Sequence, residues 1–201
     1  MKIEVVDNFL NSKDLKRISN LPLKKINKKS LKVYHNSIVG KKVINFECIN
    51  PSYLIELNKN YHSKAIKILK KLCKEKVKLY DYSEFHIIET GANCKFPIHD
   101  DTPNKLLSGV IYLKPSKNSG TNFFSSKKGK TKKTIQWKLN RAVFFSRKER
   151  ETWHSYQGDG KSNRIVLVYN LMTRNIKDVF KVENKNYFLG NLRYKLNPYF
   201  Y

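Results

Sequence analysis

The chain has 201 residues, enough for one well-packed domain and short for two. A hydrophobic content of 40% can fill a real core, which excludes a collagen-like, low-complexity or mostly disordered chain. Lys plus Arg number 41 against 16 Asp plus Glu, a formal net charge of +25, so the surface attracts polyanions.

No apolar run approaches the roughly 18 residues that cross a bilayer, so membrane insertion is not expected. The opening MKIEVVDNFL carries Glu4 and Asp7 and does not read as a signal peptide. Cys48, Cys73 and Cys94 fit neither a disulfide framework nor a CxxC metal site. They read as small, mostly buried thiols, and the expected compartment is a reducing cytoplasm.

The positive charge sits in lysine runs: Lys24, Lys25, Lys28, Lys29, Lys32, Lys41 and Lys42, then Lys127, Lys128, Lys130, Lys132 and Lys133. Nucleic acid or another polyanion is one partner class this suggests. Sequence-specific readers lean on arginine, however, and here arginine is scarce while Lys, Asn and Ile abound. A compositional bias of the coding sequence gives the same picture with no partner at all.

Residues 2–6 suit a short strand. Asn11 can cap a helix, with Asp14 three residues on completing a capping-box-like pair. Over 52–74, Tyr61, Ala65, Leu69 and Leu72 recur at helical spacing with lysines on the other faces. From residue 80 the period changes. LYDYSEFHIIE, SGVIYLKP, GTNFFSS, KTIQWKL, RAVFFS and RIVLVYNL are short β-branched and aromatic runs separated by turn residues. Helices first and strands after predict an antiparallel β core with helices packed on one side. Two hairpin loops are expected within 115–134, and the aromatic tail NYFLGNLRYKLNPYFY is expected to dock on the outer face of the barrel.

The chemistry concentrates between Pro97 and Leu171. PIHDD places His99 and Asp101 two apart, so at a strand end an imidazole and a carboxylate share one face. His154 follows, and Arg164 opens the apolar strand RIVLVYNL. Two histidines and a carboxylate are the ligand set of the facial triad of non-haem Fe(II). With five histidines and seven aspartates, composition alone supplies about 0.2 chance H-x-D pairs, so order and context carry the signal.

That order is IEVVDNFLNSKDL, PIHDD, SGVIYLKP, NSGTNFF, NRAVFFS and TWHSYQGDGKSNRIVLVYNL, spread over most of the chain. It resembles the Fe(II)/2-oxoglutarate-dependent oxygenases, in particular the prolyl-hydroxylase-like branch. The resemblance implies a mainly β (α+β) fold, a double-stranded β-helix of the jelly-roll, cupin-like kind with N-terminal helices. One oxygenase domain is then expected over 1–201: mostly helical support over 1–78, the jelly-roll core over 79–175 and a C-terminal extension over 176–201.

The resemblance further implies His99, Asp101 and His154 as iron ligands and catalytic residues. It gives Arg164 and Tyr112 as the residues that bind the far carboxylate of 2-oxoglutarate. O₂ would decarboxylate 2-oxoglutarate to succinate and CO₂ while a substrate C–H is hydroxylated, with ascorbate a possible reductant. The substrate would be a protein side chain, a free amino acid or another small metabolite.

Departures from the family pattern are Val166, where many relatives carry Ser or Thr, and Thr90, near where a tyrosine is common. Asn170 stands where the alkylation-repair branch has a second Arg. The different-class alternative is a polyanion-binding module on the same fold with a vestigial iron site.

Asp100 could replace Asp101 as ligand, but its side chain would face away from that of His99 on an extended strand. His35, His62 and His86 have no partner pattern and read as structural or surface residues, although His86 is placed to line a pocket. Trp137, Phe144 and Phe145 read as core. Arg147, Lys148, Arg150 and Trp153 read as a solvated loop or the rim of the pocket mouth.

Overall fold

The computed structural model of the protein describes residues 1–196. The N-terminal part holds β1 (Ile3–Val6), α1 (Ser12–Ser19), β2 (Leu31–Tyr34), β3 (Asn36–Val39), β4 (Lys42–Phe46) and α2 (Pro51–Leu72). After a 3-10 turn at Lys74–Leu79 come β5 (Tyr82–Thr90), β6 (Lys95–His99), β7 (Lys105–Lys114) and β8 (Thr121–Phe124). Then follow β9 (Thr131–Ile135), β10 (Ala142–Phe145), β11 (His154–Gln157), β12 (Arg164–Met172), α3 (Ile176–Val182) and α4 (Tyr187–Leu196).

Asn11 caps α1 as its spacing predicts: its side chain accepts from the Asp14 N–H at 2.7 Å and donates to Asp14 Oδ2 at 2.8 Å. The return bond of a capping box is missing, because the Asn11 N–H donates instead to Tyr61 Oη at 3.1 Å. Tyr53 and Tyr61 both donate to the buried Asp14 carboxylate, which fastens α1 to α2. In α2, Tyr61, Ala65 and Leu69 are buried as the periodicity requires. Asn50 and Pro51 supply the N-cap and first turn of α2.

Two antiparallel sheets make the core. The larger runs β1-β10-β7-β12-β5-β3-β4, with β2 also paired to β5, and the smaller runs β6-β11-β8-β9. Alternation along β12 sends Leu167, Tyr169 and Leu171 to the apolar cluster that includes the helical residues Leu54, Leu57 and Leu69. The opposite face contributes Val166 to a second cluster with Tyr112, Phe123, Val143 and Phe145 between the sheets. This is the expected jelly-roll layout, with helices covering one sheet and the other face turned to the barrel interior.

Several expectations need amending. The stretch 1–78, read as mostly helical, also contributes four strands to the large sheet. Short amphipathic runs such as LKVY take strand form here because β5 offers them a partner edge. Residues 115–134 contain one hairpin, β8–β9, whereas β7 and β8 lie in different sheets, so 115–120 crosses between them. The tail helix α4 packs on α3, where Phe180 and Tyr187 rings meet at 5.9 Å and a side chain at Gly190 would strike Phe180. The remainder of the aromatic tail, 197–201, lies outside the described residues. No described helix is long and apolar enough to cross a membrane.

Candidate metal and cosubstrate site

β6 and β11 are neighbours in the small sheet, and His154 lies directly opposite His99 in their register. Asp101 follows the end of β6, and the candidate ligand atoms of His99, Asp101 and His154 all lie within 4.8 Å of one another. Among the described residues it is the one such group of three or more His, Cys, Asp or Glu. Both histidines are oriented by the same device. His99 Nδ1 meets the Pro97 carbonyl at 3.0 Å, and His154 Nδ1 meets the Thr152 carbonyl at 2.9 Å. A carbonyl can only accept, so each Nδ1 carries the proton and Nε2 keeps its lone pair for a metal.

The electrostatics suit the same task. Burial, with His154 beside it, pushes His99 down to about 3, and burial lowers His154 as well. Both rings are therefore neutral. Burial opposes the charge on Asp101, yet the Lys105 ammonium bonded to it holds the carboxyl well below the usual carboxylate range. Asp101 Oδ1 accepts from Lys105 Nζ at 2.7 Å and Oδ2 from Ser108 Oγ at 2.5 Å. One bond per oxygen leaves lone pairs for a metal.

Asp100 does a different job. Its carboxylate accepts from the Arg150 N–H at 2.6 Å and from the Thr152 hydroxyl, so it is turned away from the candidate ligands. These bonds tie the end of the strand carrying His99 to the loop that leads into His154. Burial pushes the Asp100 carboxyl up to about 7, against the Arg147 charge and these hydrogen bonds. Arg150 sits at φ 58°, a left-handed conformation that costs a non-glycine residue roughly 1 kcal/mol, and the Asp100 bond holds it there.

Arg147 corrects the reading of that loop as solvated or as a rim. It is fully buried, with Nε donating to the Asp101 carbonyl at 3.1 Å and Nη1 to Glu183 Oε2 at 2.7 Å. Glu183 also takes Lys76 Nζ at 2.7 Å and the Glu149 N–H at 2.9 Å. Nothing local in the sequence announces this cluster, since Glu183 lies 34 to 107 residues from the groups it holds.

His99, Asp101, His154 and Arg164 line one cavity of about 150 Å³ between the two sheets. Arg164 is 1% exposed, and its Nε and Nη1 have no hydrogen-bond partner. Aromatic rings surround it: Tyr156 at 4.1 Å, Trp137 at 5.2 Å and Tyr112 at 5.9 Å from the guanidinium carbon. A buried cation facing a cavity without a counter-ion is costly, and a carboxylate entering that cavity would supply one.

Tyr112 is placed less directly than expected. It is not in the cavity wall; its hydroxyl is within 2.8 Å of Thr121 Oγ1, which is, and its ring stacks on Trp137. Tyr156, missed in the sequence, lines the cavity instead, and its hydroxyl accepts from Thr90 Oγ1 at 3.3 Å. Its position two residues after His154 on a strand was the available signal. Phe145 also lines the cavity and packs 4.7 Å from His154. His86 does not line it and binds Glu84 at 3.1 Å. A larger cavity of about 360 Å³ beside Met1, Cys73, Lys76 and Glu183 has no group of three candidate metal ligands among the described residues.

No protein-family model matches the chain, and no curated protein matches its sequence. Solved structures do match by shape. A prolyl-4-hydroxylase from Pseudomonas putida is 14% identical with a TM-score of 0.55, over 86% of this chain and 92% of that one. A 2OG-Fe(II) oxygenase-family oxidoreductase from Burkholderia pseudomallei is 14% identical with a TM-score of 0.58, over 85% and 84%. A Trichoplax adhaerens prolyl hydroxylase, solved with a hypoxia-inducible-factor peptide, is 12% identical with a TM-score of 0.52, over 88% and 86%. The chain therefore has the double-stranded β-helix fold of the prolyl-hydroxylase-like 2OG-Fe(II) oxygenases.

Proposed function

We propose that the protein is an Fe(II)- and 2-oxoglutarate-dependent dioxygenase acting as a hydroxylase. The observation that carries this is one cavity holding both a neutral-His, neutral-His, carboxylate cluster and a buried arginine without a counter-ion. His99, Asp101 and His154 would hold the iron. Arg164 would pair with the far carboxylate of 2-oxoglutarate, with Thr121 and Tyr156 beside it in the wall and Tyr112 acting through Thr121. A guanidinium fork supplies both charge and fixed geometry to a carboxylate.

Iron with 2-oxoglutarate and O₂ supplies the oxidising chemistry when bound. The chain's own part is positional. Pro97 and Thr152 carbonyls set the tautomer of the two imidazoles, Lys105 and Ser108 fix the Asp101 carboxylate, and Asp100 ties the two ligand segments together. Val166, Val168, Val110 and Ile88 give the cavity an apolar floor that limits water near the target C–H.

The test is anaerobic addition of Fe(II) and then 2-oxoglutarate to purified protein, read by visible absorption. A weak metal-to-ligand charge-transfer band is expected, followed in air by succinate formation with ascorbate as reductant. Iron that is not retained, or no succinate with any substrate, overturns the reading.

A second reading rests on the surface. Lys24, Lys25, Lys28, Lys29, Lys41 and Lys42 are exposed, as are Lys127, Lys128, Lys130, Lys132 and Lys133 around the β8–β9 hairpin. This favours contact with a nucleic acid or other polyanion, either as the substrate's carrier or in place of catalysis. Binding to such a polymer should weaken steeply as salt rises, whereas 2-oxoglutarate consumption should not require it.

A further inference from the structure

Alternation along β12 turns Arg164, Val166, Val168 and Asn170 into the same cavity, so Asn170 marks the end opposite Arg164. In register, Asn170 pairs with Ser108 on β7 and with Glu84 on β5. Ser108 is the residue that bonds Asp101, which places Asn170 beside the candidate metal cluster. Asn170 is 0% exposed. Its Nδ2 donates to Glu84 Oε2 at 3.2 Å, and His86 Nε2 reaches the same oxygen at 3.1 Å.

An ionised carboxylate only accepts, so this bond fixes which end of the Asn170 amide is which. Oδ1 is left buried and without a partner. A buried acceptor of that kind calls for an N–H or O–H donor. Lys105 lines the same cavity; its Nζ gives one N–H to Asp101 at 2.7 Å, and an ammonium carries two more. The wall thus presents an acceptor and a donor, the complement of an amide group.

We propose that Asn170 and Lys105 form an amide-recognition subsite. Asn170 Oδ1 accepts an N–H of the primary substrate and Lys105 donates to its carbonyl, so the enzyme takes substrates that carry a peptide-type amide. This rests on the dioxygenase reading, whose failure shows separately as wild-type protein that binds no 2-oxoglutarate.

The experiment is anaerobic calorimetry on protein loaded with Fe(II) and 2-oxoglutarate. The probes are N-acetyl amino-acid N-methylamides, one per side chain, set against the matching esters in which both amides are replaced, the O-acetyl 2-hydroxy-acid methyl esters, which carry no amide N–H. At least one amide should bind about tenfold or more tightly than its ester, because the ester leaves the buried acceptor unpaired. In Asn170→Leu that preference should shrink to less than about twofold. Asn170→Ser, too short to reach the ligand, should lose it as well and covers a folding failure of the leucine variant. Given 2-oxoglutarate binding, the subsite is overturned if no amide binds, if amides and esters bind alike, or if the preference survives in a folded variant.

Discussion

His99 and His154 face each other across the β6–β11 ladder with ring centroids 4.1 Å apart, and each donates Nδ1–H to the carbonyl two residues before it. Repetition of one local device on two antiparallel strands leaves both Nε2 atoms free to share a metal with the Asp101 carboxylate. Replacing His154 by Ala should weaken Fe(II) binding by at least about a hundredfold, while Ser108→Ala, which frees one Asp101 oxygen, should cost about tenfold. Anaerobic metal titration reads both. Tight iron binding by the His154 variant would remove that residue from the site.

Arg164 predicts opposite effects on stability and binding. Without ligand, its guanidinium is buried with two nitrogens unpaired, so Arg164→Met should raise stability by roughly 1–2 kcal/mol. The same variant should lose the thermal shift that 2-oxoglutarate induces in the wild-type protein while still binding Fe(II). A destabilised variant that still responds to 2-oxoglutarate would contradict the pairing.

Glu183 closes the α3 end of the molecule onto the loop before His154. It takes Lys76 and Arg147, both buried. Glu183→Ala takes a shared carboxylate from two buried cations, and the expected cost is about 3–5 kcal/mol in urea unfolding. A loss below about 1 kcal/mol would mean that water reaches both cations.

High pH should unfold the protein through its tyrosines. Burial holds Tyr53, Tyr61 and Tyr169 above the ordinary phenol value and pushes Tyr82 and Tyr156 up to about 12. The unfolded chain releases these protons near pH 10, roughly the unperturbed value. A proton held more tightly in the folded state contributes stability that is whole below about pH 10 and lost as pH rises toward the folded values. Denaturation midpoints measured with phenolate absorbance should fall over that range. Reversible ionisation of every tyrosine near pH 10, with the fold intact, would refute the burial.

Much of this was legible before any coordinates. The α1 cap at Asn11, the buried stripe Tyr61–Ala65–Leu69 and the strand runs after residue 80 depend on local spacing, which the backbone periods read directly. So do His99 and Asp101, two residues apart, and Arg164 at the head of an apolar strand. The sequence by itself determined the fold class and which side chains could carry chemistry. It could not supply partners. That Asp100 holds Thr152, that Arg147 is buried on Glu183 and that Asn170 lies beside Glu84 are contacts across 36 to 86 residues. Such contacts follow from strand register and helix docking, so only the tertiary structure decided that Arg147 is buried, that Tyr156 lines the cavity wall and that Asn170 keeps an unpaired acceptor.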